Sequence, residues 1–399
     1  MTTSTKNAER AILSVHKGYR GAEREILLEC AKAQLHPGRA SEINTLFEAD
    51  IEWPFLIELA KRHGMVALLH KCLRSSRCHD MVPSHFLETL IELYRSNAIF
   101  SLKMSRELDR ICKQFQDEQV TIVPFKGPIF GEFAYGDLCL RPFCDLDFLV
   151  NKQDIARAKA LLLADGYELE FDIDRTRETA FLRQECEYTF INHRKQISVD
   201  LHWGIVRNYA SFGLSVDEIL KHLIPFEFFG RQIMIPSPEY TLLILILHNG
   251  GKHQWEGLLG IFDVAQLISS RKDLDWDKVI NIAAEKGMSR ALHLGLYLAQ
   301  DLLSVELPAS VSRRMQDDST IKSVAAQIST RLFASAESPP TKLEHLLFSL
   351  NTRARAVDKI RYCLAQLVTS DHEDRNHFAL PQALVPIYGL LRLARWLRN

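Results

Sequence analysis

The chain has 399 residues, 47% hydrophobic and 25% charged, a balance that excludes a disordered polypeptide and points to a folded globular one. That length exceeds one average core, so two or three domains are expected. With 49 Lys and Arg against 50 Asp and Glu the formal charge is -1, which excludes a global field drawing the protein to nucleic acid.

The first ten residues hold no apolar core of signal-peptide type. Eight cysteines show neither paired C-x-x-C spacing nor a dense secreted framework, so reduced, mostly buried thiols and a cytoplasmic protein are expected. From about residue 23 to 119 the apolar pattern is helical. Ile26, Leu27, Cys30 and Ala31 share one stripe, and Trp53, Leu56, Ile57, Leu59 and Ala60 another. His36-Pro37-Gly38 and Val82-Pro83-Ser84 punctuate this region. Its last helix is expected from Ser84 or His85 through Leu108 towards Phe115, with room for a break.

The period then shortens. Residues 120–125 form a β-branched run, and the turn Lys126-Gly127-Pro128 opens a short helix through Tyr135. A second strand is expected over 143–150, then a helix over 153–164 that stops at Asp165-Gly166. Strands follow over 167–173, 187–191 and 196–203, the last two joined by a turn at His193-Arg194-Lys195. A hairpin over 226–235 leads to Ser237, a candidate N-cap, and Pro238, a first-turn proline. Helices are expected over 238–249, 255–270, 275–286 and 290–303, with Pro339-Pro340 a loop before another. The strongest apolar run, Leu242 to Leu247, is far short of the roughly 20 residues that cross a bilayer. The fold class expected is α+β: a helical region over 1–118, a small mixed-sheet core over 119–236, and a helical domain over 237–399.

Asp145-Leu146-Asp147 lies inside an apolar strand, where residues i and i+2 share a face. A buried carboxylate without a partner costs several kcal/mol, so this pair calls for cations or for hydrogen-bond donors. Asp200, flanked by Val199 and Leu201, offers a third acid on another strand. Three acids converging from adjacent strands make a hard-oxygen site suited to Mg2+. Lys126-Gly127 stands at a strand-to-helix junction, either a phosphate site or an ordinary glycine turn. Arg141 either pairs with Asp145 or reaches a phosphate oxygen, and Tyr135 either stacks on a base or packs. Around His248 to Trp255 two helices meet at a polar corner, where Lys252 and His253 either touch substrate or cap and pack; His248 and His253 are poorly spaced for zinc. Asp263, an acid in an apolar helix, is expected to pair with one of these bases. The tail from Val385 to Arg398 is basic and amphipathic, suited to a membrane surface, to a partner, or to closing the core.

Lys126-Gly127, Tyr135-Gly136, Arg141, Asp145-Leu146-Asp147 and Val199-Asp200-Leu201-His202-Trp203, in that order after a helical leader, resemble the bacterial nucleotidyltransferase-like family of the DNA polymerase β superfold. The likeness runs from about Trp53 to Asp263. It departs in one place: the superfold usually has Gly-Gly or Gly-Ser after its first strand, whereas here Pro128 follows Gly127 and the acid pair comes eighteen residues later. The resemblance implies transfer of a nucleoside monophosphate from an NTP to an acceptor hydroxyl, with release of pyrophosphate. Asp145, Asp147 and Asp200 would be catalytic and would hold two Mg2+ ions, with Mn2+ as an alternative. Lys126, Gly127, Arg141, Lys252 and His253 would bind the nucleotide or the acceptor. A non-catalytic nucleotide-binding module and a metal-dependent glycosyltransferase are the rival expectations.

Overall fold

The computed structural model describes residues 21–36, 43–75, 80–171, 175–207, 212–316, 318–334 and 341–368. The opening residues, Pro37-Gly38, Cys78, Pro339-Pro340 and the basic tail lie outside the described residues. Five strands form one mixed sheet: β1 (Ile122–Pro124), β2 (Asp145–Val150), β3 (Glu168–Leu169), β4 (Glu187–Asn192) and β5 (Ile197–His202), in the order β1-β2-β5-β4-β3. β2 and β5 run parallel and every other pair runs antiparallel. Strands buried on both faces read as continuous apolar runs rather than alternating ones. That is why Leu146, Phe148, Leu149 and Val150 are all buried. β6 (Leu223–Phe228) and β7 (Arg231–Pro236) make a separate hairpin, closed by Phe229 and Gly230 at φ 49° and 73°. Two positive φ values in a two-residue loop match the right-handed twist of the strands.

Helices wrap this core on both sides in sequence. Ser84–Asp117 is one unbroken helix, with Leu90, Met104, Leu108, Ile111 and Phe115 buried along it. Helix Ala22–Leu35 packs on Leu258–Ser270 and Ser289–Leu303, so the first described helix shares one apolar core with helices that follow the sheet. Among the described residues no helix is long and apolar enough to cross a membrane.

Several expected elements differ. The third strand shrinks to Glu168–Leu169, because it pairs only with the far end of β4 at the sheet edge. A helix at Arg175–Gln184, not anticipated, covers Tyr188 and Trp203 through Phe181, which stacks on the first ring and meets the second edge-on. The helix expected from Trp255 starts at Leu258 because Gln254 and Trp255 both take left-handed backbone angles, φ 48° and 58°. The preceding helix keeps α geometry only over Pro238–Ile246 and widens to a π turn over Leu247–Lys252. π turns recur at functional sites, and this one carries His248. Ser237 takes the N-cap position with Pro238 in the first turn, but its hydroxyl donates to Glu239 Oε2 at 2.6 Å instead of capping.

His63, 1% exposed, ties the two helical regions together: its Nδ1 accepts the Leu258 N–H at 3.2 Å. That N–H opens the helix Leu258–Ser270 and has no partner inside it. Burial, then the charge of Arg62, lowers the imidazole from 6.5 to about 4. The folded protein therefore holds His63 neutral where the unfolded chain protonates it. Its contribution is full above pH 6.5 and is lost as pH falls towards 4, about 2 kcal/mol between pH 6.5 and 5. His63→Asn keeps an acceptor and removes the titration. Urea melts at pH 7.5 and 5 should show a smaller acid loss in the variant, and equal losses would contradict this account.

Candidate active site

β1 delivers Lys126 to the sheet's end. The Phe125 N–H still bonds the Asp147 carbonyl at 3.3 Å, and the next residue turns away into the short helix Gly127–Phe130. Gly127 has φ +53°, and a Cβ there would stand 3.3 Å from the Asp145 carbonyl oxygen. A side chain at Gly127 is thus disfavoured by backbone conformation and by space together. The parallel pairing of β2 with β5 places Asp147 directly opposite Asp200 and Leu149 opposite His202. Alternation then turns Asp145, Asp147, Asp200 and His202 to one face.

Asp147, 3% exposed, lies at the centre. Its Oδ1 is 2.6 Å from the Lys126 ammonium and 2.9 Å from His202 Nε2. Burial opposes the ionised form, but Lys126, then His202, hold this carboxyl far below the usual carboxylate range. Asp200 is 8% exposed and its Oδ1 has no hydrogen-bond partner. Burial pushes Asp200 up to about 6, with Asp147, Glu187 and Asp145 adding to the rise and His202 opposing it. Burial and the Asp147 charge likewise raise Asp145, which is half-buried and accepts a 3.4 Å contact from the Cys144 thiol. Ligand atoms of Asp147, Asp200 and His202 all lie within 4.8 Å of one another. An acid that stays buried, raised and without a donor lacks positive charge, and a divalent cation would supply it; the donor set fits such an ion.

Lys126 continues outward to His248, with 3.0 Å between Nζ and Nε2. Burial, then the Lys126 charge, holds His248 well below its ordinary value, so the neutral ring accepts from the ammonium. His253 packs edge-on against His248, ring centres 4.6 Å apart. Both histidines line a cleft of about 900 Å³ whose walls also include Arg62, Arg141, Asp263 and Arg331. Arg62 donates to the Ala334 carbonyl at 2.8 Å and Arg331 to that of Gln254. On the far side of the π turn, Lys252 Nζ is 2.7 Å from Glu187 Oε1 and borders a second cavity of about 440 Å³.

Two pairings differ from expectation. Arg141 does not pair with Asp145; its Nε and Nη2 donate to the two oxygens of Asp263, each at 2.9 Å. Asp263 in turn meets neither Lys252 nor His253, but Arg141 and the Tyr135 hydroxyl at 2.6 Å. Tyr135 is therefore a packed, hydrogen-bonded ring. Short-range reasoning favoured charges nearby in sequence, whereas helix packing brings Asp263 to partners more than a hundred residues earlier. Two residues of the site were overlooked. His202 repeats on β5 the i, i+2 spacing that singled out Asp145 and Asp147, so alternation alone would have exposed it. Glu187 gave no such signal: only the register of β4 against β5, Glu187 opposite His202, brings it in.

A strand-borne acid pair, a third acid on the parallel neighbour and a glycine turn in front of them make the layout expected of a nucleotidyltransferase. The chain belongs to the uncharacterised nucleotidyltransferase family, which it matches over residues 49–304. No curated protein matches the chain.

Proposed function

We propose that this protein transfers a nucleoside monophosphate from an NTP to an acceptor hydroxyl with release of pyrophosphate, using Asp145, Asp147 and Asp200. The observation that carries the reading is the β2–β5 register, which sets Asp147 opposite Asp200 and leaves Asp200 Oδ1 buried without a donor. Asp145, Asp147 and Asp200 would hold divalent metal, Mg2+ in the first instance, as the family membership suggests. A bound ion would neutralise charge on the phosphoryl oxygens. The acceptor oxygen bonds to the α-phosphorus, the bond to the bridging oxygen breaks, and pyrophosphate leaves with that electron pair. Asp200, whose Oδ1 has no donor and whose carboxyl burial raises, takes the acceptor's proton. Lys126, Gly127 and His253 contact the phosphates, joined by Arg141 from the wall of the 900 Å³ cleft. Lys252 lies on the acceptor side, bordering the smaller cavity. Positioning and charge neutralisation supply the rate.

The test is incubation with each α-labelled NTP, Mg2+ and a panel of hydroxyl acceptors, comparing wild type with Asp145→Asn. Pyrophosphate from wild type, reduced on the order of a hundredfold or more in the variant, is the expected result. Equal yields, or none from any mixture, would count against catalysis. One observation favours the non-catalytic alternative: Lys126 already neutralises Asp147 at 2.6 Å. A binding module would show a thermal shift with a non-hydrolysable NTP and yet release no pyrophosphate.

A further inference from the structure

The same centre carries a feature that three carboxylates do not explain. His202 is fully buried between two acids, with Nε2 2.9 Å from Asp147 Oδ1 and Nδ1 3.0 Å from Glu187 Oε2. A neutral imidazole has one N–H, so one ring nitrogen must turn its lone pair towards a carboxylate. Nδ1 makes no hydrogen bond in this arrangement, although Glu187 Oε2 is 3.0 Å away. Once Nδ1–H donates to Glu187, Nε2 is left as a lone pair facing the acids. This is how carboxylates orient metal-binding histidines. The charges agree. Four acids, Asp145, Asp147, Asp200 and Glu187, face only the two ammonium groups of Lys126 and Lys252, an excess of acids that a divalent ion would offset. Asp200, 8% exposed, has an Oδ1 without a partner and offers a carboxylate oxygen to the same group.

We infer that His202 is a direct metal ligand and Glu187 the residue that orients it, so that Asp147, Asp200 and His202 form a mixed oxygen and nitrogen site selective for a first-row transition ion such as Mn2+ over Mg2+. An imidazole in the set shifts preference this way because Mg2+ favours oxygen, whereas nitrogen suits transition metals. The inference extends the proposed function at the same site, but its test does not depend on transfer.

The full-length protein is titrated with Mn2+ alone and the bound ion is examined by pulsed EPR. Modulation from a directly bound nitrogen is expected, retained in His248→Asn and His253→Asn and lost in His202→Asn. Displacement of Mn2+ should need Mg2+ in excess. Wild-type protein grown with 15N-histidine shows the corresponding isotope change and keeps the test decisive if His202→Asn does not fold. Bound Mn2+ with oxygen ligands only, loss of nitrogen coupling in His248→Asn or His253→Asn while His202→Asn retains it, or no binding of Mn2+ would each overturn the assignment. Nitrogen coupling without any pyrophosphate release would leave it standing and sink the transfer reaction instead.

Discussion

Asp147→Asn is expected to lower nucleotide transfer by on the order of a thousandfold and to destabilise the fold at the same time. The carboxylate is shared by Lys126, 6% exposed, and His202, fully buried, and an amide does not neutralise the Lys126 ammonium. Removing one partner from a buried ion pair costs about 3–5 kcal/mol, because the remaining charge is left without compensation. The two effects separate in the double variant Lys126→Met/Asp147→Asn. Its stability should recover much of that loss, since no ammonium remains buried alone, while transfer stays as low as in the single variant. Urea melts beside pyrophosphate assays on folded protein measure both. A single variant as active as wild type would remove Asp147 from the chemistry.

Asp263→Asn should produce a comparable loss of stability without touching the acid cluster. Asp263 is 1% exposed and accepts from Arg141 twice and from Tyr135 once, so one substitution strips the charge from a buried pair and weakens three bonds. About 3–5 kcal/mol is expected, seen as a fall in melting temperature of roughly 5 °C or more. Arg141 also lies 5.4 Å over the Phe130 ring, so the pair fastens the Gly127–Tyr135 segment to helix Leu258–Ser270. The double variant Arg141→Met/Asp263→Leu should melt above either single one, because two apolar groups leave no orphaned charge. A double variant no better than the singles would show that the pair orients the segment rather than merely neutralising itself.

Local chemistry was legible in the sequence and long-range pairing was not. Asp145, Asp147 and Asp200 were found by strand alternation, which needs only neighbours two residues away. The same rule would have found His202. Glu187, the contact of Lys126 with His248, and the Arg141–Asp263 pair each depend on strand register or helix packing, across separations of 15 to 122 residues. The late start of helix Leu258–Ser270 was illegible for another reason. Gln and Trp rarely adopt left-handed backbone angles, and at Gln254 and Trp255 the packing around the fully buried Trp255 ring overrides that preference. Helix Ser84–Asp117, for which the sequence left room for a break, instead runs unbroken for 34 residues.

Helix Ala22–Leu35 precedes the stretch shared with the family, yet Ile26, Leu27 and Ala31 are wholly covered, and the helix rests on Ser289–Leu303 at that stretch's far end. Trimming the polypeptide to the family's own limits would uncover that greasy seam. The excerpt carrying every recognisable signature would then be prone to clump in the test tube, and biochemists should express the leader along with it.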